Sequence, residues 1–184
     1  MKKWVVCLLF TWAGVAWSEA PKGWDLMGSE PKSYESGVDH SIRHGKKPSG
    51  YLKSTRVEIQ GFGALGQRFL ASRYQGRRIR LSAWIKTRDV KDWAGLWMRI
   101  DGEDGKVLAF DNMQSRAVQG THDWKQCSVV LDVPRNAKYV NLGVVLSKEG
   151  QVWVSEAALD VVEAGVPVTG DNALEAPTNL DFSH

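Results

Sequence analysis

Along most of the chain, apolar residues recur at every second position rather than every third or fourth, and clusters of Gly, Asn and Asp interrupt them at short intervals. Alternation of that kind is the mark of half-buried strands, so the pattern predicts an all-β domain. The clearest strands are at 79–87, 93–101, 106–112, 125–133, 138–146 and 151–162, with weaker ones at 24–28, 34–38, 51–59 and 67–71. That many short strands suits a two-sheet antiparallel β-sandwich. Turn chemistry agrees, with Asp101-Gly102-Glu103-Asp104-Gly105, Pro134-Arg135-Asn136-Ala137 and Lys148-Glu149-Gly150 each placed to reverse the chain. The stretch from Ser155 to Val162 reads as strand because Val152, Trp153 and Val154 lead into it unbroken; a short capped helix is the alternative. Gly61, Gly63 and Gly66 predict a sharp bend or bulge. Beyond Gly165 large apolar residues thin out, which predicts a flexible tail over 166–184 after a domain over 19–165.

Residues two apart share a strand face. Ile79, Leu81, Ala83 and Ile85 form one face of their strand, and Ala94, Leu96, Met98 and Ile100 one face of the next; both are core. The opposite faces carry Arg80, Ser82, Trp84 and Lys86, then Trp93, Trp97, Arg99 and Asp101. Indoles among guanidinium and carboxylate groups are costly to bury without partners and odd to leave in water. A sheet surface that binds a flat polar molecule resolves the mixture. Sugars fit that description, because C–H faces stack on indole while adjacent hydroxyls bond Arg, Asp, Asn and Gln. The candidate ligand-binding residues are Arg80, Trp84, Trp97, Arg99, Asp101, Asp111 and Gln114. The competing reading is a structural Arg–Asp network roofed by the loop at 39–53, with the tryptophans as its lid.

The amino end changes the cellular picture. Lys2 and Lys3 precede an apolar run over 4–16, interrupted by Thr11 and Gly14, and small residues follow at Ala16 and Ser18. This is signal-peptide anatomy, with cleavage after Ser18, and it predicts a periplasmic or secreted protein. The run is too short for a spanning helix, which needs about 20 apolar residues. The formal charge of +3 then falls to one excess basic residue, and no Lys/Arg run exceeds the pairs Lys46–Lys47 and Arg77–Arg78. Nucleic acid is therefore not an expected partner. Cys127 is the sole cysteine after such cleavage, which excludes an internal disulfide and predicts a buried, inert thiol. The chain is expected to be a monomer.

Other chemistry is set aside. Gly61-Phe62-Gly63-Ala64-Leu65-Gly66 matches a dinucleotide fingerprint only in spacing, because Gln67 to Gln75 is too short for the helix it requires. His40 and His44 have metal spacing only on a helix, and their neighbours favour a loop. Asp101, Asp104, Asp111 and Asp123 stand at or near turns, where Asp serves turn geometry rather than a glycosidase pair.

Gly23-Trp24, Gln67-Arg68-Phe69, the run from Tyr74 to Lys86, Thr121 to Trp124, Val133-Pro134 and Val152-Trp153-Val154 together resemble the galactose-binding-like jelly rolls used as carbohydrate-binding modules. The resemblance covers most of the chain after the signal. It implies a jelly-roll sandwich that binds saccharide non-catalytically, without a cofactor beyond an occasional structural calcium. The family's acidic pair after the last Trp strand is Ser155-Glu156 here, which departs from that pattern. The block from Trp93 to Gln114 also resembles an uncharacterised domain associated with bacterial arabinose-regulator-class proteins. The expectation is an exported, non-catalytic saccharide-binding module, with a structural or protein-interaction module of the cell envelope as the alternative.

Overall fold

The computed structural model describes residues 20–170. Nine strands follow in chain order: β1 (Asp25–Gly28), β2 (Tyr34–His44), β3 (Lys47–Ser54), β4 (Phe62–Leu70), β5 (Arg78–Gly102), β6 (Val107–Asp111), β7 (Val118–Asp132), β8 (Ala137–Ser147) and β9 (Gln151–Val162). All pairings are antiparallel. One leaf of the sandwich runs β1-β4-β8-β5-β6, and the other runs β2-β3-β9-β5-β7. The all-β sandwich expected from the alternation is therefore the observed architecture.

The leaves are joined, because β5 is one strand of 25 residues where two were expected. Its first half pairs with β7 and β9, and its second half with β8 and β6. Between the halves its register with β7 shifts at Thr87 and Val90, and Asp89 takes φ 52°. A bulge of this kind bends a strand without ending it. The β8–β9 turn fastens the bend: the Lys91 N–H donates to the Glu149 carbonyl at 2.9 Å. Gly150, at φ 135°, permits the approach, since a Cβ there would stand 2.7 Å from the Val90 Cα.

The core lies between the leaves. Ile79, Leu81, Ala83 and Ile85 face Leu96, Met98 and Ile100 together with Leu65, Val140, Val144 and Leu146, all of them buried. Full burial of such a side chain contributes about 1.5–3 kcal/mol, so the domain has no need of disulfides. Cys127 is buried at this core's edge, and burial pushes its thiol up, which leaves little thiolate.

Three local expectations are corrected. In the glycine-rich stretch only Gly61 lies in a bend, and Gly63 and Gly66 belong to β4. Gly63 is there for space, since a Cβ would lie 2.5 Å from Cγ of the buried Tyr34 ring. Tyr34 donates to the Lys148 carbonyl at 2.9 Å, and burial, aided by Glu30, pushes its hydroxyl up to about 12. The 39–53 loop is instead the β2–β3 hairpin, with a bulge between Asp39 and Arg43. In that bulge the Asp39 carboxylate accepts from the Ser41 and Ile42 N–H groups and from Trp153 Nε1.

The stretch from 166 does not leave the domain at once. Arg78 Nη1 donates to the Ala164 and Val166 carbonyls, and Thr169 is tied to β7 by two bonds with Val130, N–H to carbonyl in one direction and N–H to hydroxyl in the other. These contacts escape a reading based on hydrophobicity because they are polar. The signal peptide expected at 1–18 and the part of the expected tail beyond Gly170 lie outside the described residues. Among those described, no helix is long and apolar enough to cross a membrane.

Candidate functional site

The outer face of the β1-β4-β8-β5-β6 leaf is a grid set by register. Across β4, β8 and β5 the rows read Phe62, Ser147, Trp93; then Ala64, Val145, Gly95; then Gly66, Gly143, Trp97; then Arg68, Asn141, Arg99. Leu70, Tyr139 and Asp101 complete it, and β6 extends the Arg99 row with Phe110.

The third row is the unusual one. Two glycines lie side by side, and the Trp97 indole reaches across Gly143 to Gly66. A Cβ on Gly66 would stand 2.7 Å from Cζ2 of that ring. Gly143 has no room for a side chain either, because a Cβ there would collide with the Leu65 carbonyl. The ring therefore lies along the sheet instead of standing up from it. Its Nε1 is covered and has no hydrogen-bond partner.

The half-buried Trp97 lines an open cleft of about 320 Å³. Trp93, Phe62, Phe110 and Met27 supply further apolar walls, Ala64 and Val145 the floor, and Arg99 and Asn112 the polar groups. Phe62 and Phe110 stay exposed, an arrangement that marks binding surfaces.

Arg99 is held from below. Its Nε and Nη2 meet the two carboxylate oxygens of Asp101 at 2.9 and 3.0 Å. Asp101 is 3 % exposed and also accepts from Asn141 Nδ2 at 2.9 Å. The pair fixes the guanidinium while its side chain stays 43 % exposed. Two strands over, the Arg68 guanidinium lies 3.8 Å above the Tyr139 ring, a cation–π contact.

The residues expected to form one surface are thus divided. Trp97 and Arg99 lie in the cleft, with Asp101 beneath them. Arg80 and Trp84 are on the other leaf, whose outer face points the opposite way, so they are not part of this surface. There the β2–β3 hairpin does form a roof: His44 stacks on Trp84 at 4.1 Å, meets Trp124 edge-on at 5.4 Å and places its Nδ1 3.1 Å from the Glu156 carboxylate. Arg80 approaches Asp160 at 3.7 Å. The covered-network reading describes Trp84, and the open-surface reading describes Trp97.

Asp111 is a structural bracket. It accepts from both Arg116 nitrogens, the Thr169 hydroxyl and the Met113 N–H. Burial opposes its ionisation, but those bonds hold the carboxyl below the usual carboxylate range. Gln114 is exposed on a short 3-10 turn and lines a separate hollow, which shares Phe110 and Asn112 with the cleft. Phe62, Phe110, Met27 and Asn112 were not among the sequence candidates. The alternation of β4 and β6 marks Phe62 and Phe110 as outward, but nothing local pairs them with Trp97.

Among the described residues, no three His, Cys, Asp or Glu side chains converge to hold a metal ion. Ser155 and Glu156, at the place of the family's acidic pair, lie on β9, with Ser155 buried and the Glu156 carboxylate 3.1 Å from His44 Nδ1.

No family model matches the chain. It is 45 % identical over 166 residues to the uncharacterized HTH-type transcriptional regulator YbfP of Bacillus subtilis (strain 168), covering 88 % of this chain. The chain spans about half of that relative, 56 % of its length. Among solved structures, the CBM22-1 xylan-binding domain of Paenibacillus barcinonensis Xyn10C superposes with a TM-score of 0.58 at 13 % identity, covering 80 % of this chain and 91 % of that one. A Stig cyclase, Fisc from Fischerella sp. TAU, gives a TM-score of 0.55 at 14 % identity over 80 % and 88 % of the two chains. The chain has the β-sandwich fold of carbohydrate-binding modules, and at least one enzyme shares that fold.

Proposed function

We propose that this protein is a non-catalytic saccharide-binding module whose site is the cleft over Trp97. The observation that carries the reading is the Trp97 ring laid across Gly143 and Gly66 beside an Arg99 already oriented by Asp101. A sugar ring stacks by its C–H face on such a platform, while the guanidinium and the Asn112 amide bond its hydroxyls. Preorganisation of this kind lowers the ordering cost of binding. Among the described lining residues the charged or amide side chains are Arg99 and Asn112, with no nucleophile or acid–base pair. The structural likeness to the xylan-binding domain supports the reading.

The test is titration of the purified protein with a panel of oligosaccharides, followed by indole fluorescence. Binding should change the emission and Trp97→Ala should remove the response; silence across the panel would refute the proposal.

Export to the periplasm or medium belongs to this proposal and rests on residues 1–18. The likeness to a transcriptional regulator favours a second reading, in which the same cleft serves a regulator as its sensing part. Cell fractionation separates the two: a shortened chain in the envelope or medium supports export, and a full-length chain in the cytoplasm supports the regulator.

A further inference from the structure

The cleft is chemically one-sided. Its described lining contains no Asp or Glu. Its polar side chains are donors: Arg99, and Asn112, whose Oδ1 already accepts from the Gln114 N–H at 3.0 Å. The nearby carboxylates are engaged or peripheral. Asp101 is taken by Arg99 and Asn141, Asp111 by Arg116 and Thr169, Asp92 beside Trp93 accepts from the Ser147 hydroxyl at 2.7 Å, and Asp25 stands exposed on edge strand β1. A neutral sugar offers hydroxyls that both donate and accept, and a site built for one gains from carboxylate acceptors. This cleft presents none.

The geometry of Arg99 sharpens the point. Asp101 lies against the Nε side and accepts one hydrogen of Nη2, and the Nη1/Nη2 edge faces away from it. That edge is the one on which a planar carboxylate docks with two parallel bonds. Arg68, in the same row two strands away, brings a second guanidinium toward the row of Tyr139 and Asp101, and no carboxylate pairs with it among the described residues. The face thus has an aromatic end at Trp93 and Trp97 and a cationic end at Arg99 and Arg68.

Building on the saccharide reading above, we infer that the cleft selects an acidic sugar, a hexuronate whose ring stacks on Trp97 and whose carboxylate docks on the free edge of Arg99. The neighbouring Arg68 supplies longer-range attraction for a further uronate of the same chain.

The test compares trimers of galacturonate, glucuronate and mannuronate, each beside its methyl ester, by calorimetric titration of the full chain. Acid and ester share ring and hydroxyls and differ in charge. At least one acid should bind 10-fold or more tighter than its ester at low ionic strength, and the gap should narrow as salt screens the charge. Arg68→Gln, at an exposed position, should reduce the gap two- to fivefold. Arg99→Gln combined with Asp101→Asn, which strands no buried charge, should abolish it while weak ester binding persists. Equal affinity for acid and ester, or preference for the ester, overturns the inference and leaves the saccharide reading standing. If none of the six binds but neutral oligosaccharides do, the inference alone falls. Failure of every sugar, acidic and neutral, removes both.

Discussion

The indole of Trp97 occupies the space that a side chain on Gly66 would fill, two strands away: a Cβ on Gly66 would lie 2.7 Å from Cζ2 of the ring. The two positions are one feature of the binding face, since neither the orientation of the ring nor the absence of a side chain makes sense alone. Gly66→Ala should therefore destabilise the fold by about 1–3 kcal/mol, the usual cost of overpacking, and weaken oligosaccharide binding by tilting the ring. Adding Trp97→Ala should relieve part of that cost. The remainder should persist, because the Leu142 carbonyl oxygen also stands 2.7 Å from the added methyl. Chemical denaturation of the four proteins measures this coupling; strictly additive losses would mean that the ring does not rest on Gly66.

Trp84→Ala separates the two outer faces. It removes the stack with His44 at 4.1 Å and should loosen the β2–β3 hairpin, lowering the unfolding temperature. Oligosaccharide affinity should stay within twofold of the parent, because Trp84 lies on the leaf opposite the cleft. A loss as large as that from Trp97→Ala would put both tryptophans in one site, against the topology.

Asp39 couples the hairpin to pH. Burial works against its ionised form, but bonds from Ser41, Trp153 and Ile42 prevail and hold the carboxyl at about 2, against an ordinary value of 3.8. A folded-state value below the unfolded one means that the stabilisation is complete above about pH 4 and fades as pH falls through 2. Asp39→Asn should lower the melting temperature at pH 7, and the difference from the parent should shrink toward pH 2. Thermal melts at half-unit intervals check the sign; a difference that grows on acidification contradicts it.

Thr169 pins the segment after β9. Its hydroxyl donates to Asp111 at 2.5 Å and accepts from the Val130 N–H at 2.8 Å. Thr169→Val keeps the shape, strands the Val130 N–H and removes one bond from Asp111, which keeps those from Arg116 and Met113, so the expected cost is about 1–3 kcal/mol. Limited proteolysis should then cut between Val162 and Gly170 faster than in the parent, and unchanged cleavage would show that the bracket does not hold the segment.

The sequence by itself determined the local facts. Alternation sorted Ile79, Leu81, Ala83 and Ile85 inward, as it did Leu96, Met98 and Ile100, because a strand's period of two is set by its own backbone. It also marked Trp84, Trp97 and Arg99 as outward and located the turns. What alternation lacks is any record of which outward faces coincide. Only the tertiary structure decided that β5 bends at 87–91, so that Trp84 and Trp97, outward in the same strand, look to opposite sides of the sandwich. The fold also set the neighbours of Trp97 by register between strands distant in sequence: two glycines beneath it, Phe62 and Phe110 as walls, and a buried Asp101 steadying Arg99. The glycines illustrate the limit well. Read along the chain they suggest a bend, and read across the sheet they are the room in which Tyr34 and Trp97 lie, because a missing side chain gains its meaning from the atoms that occupy its place.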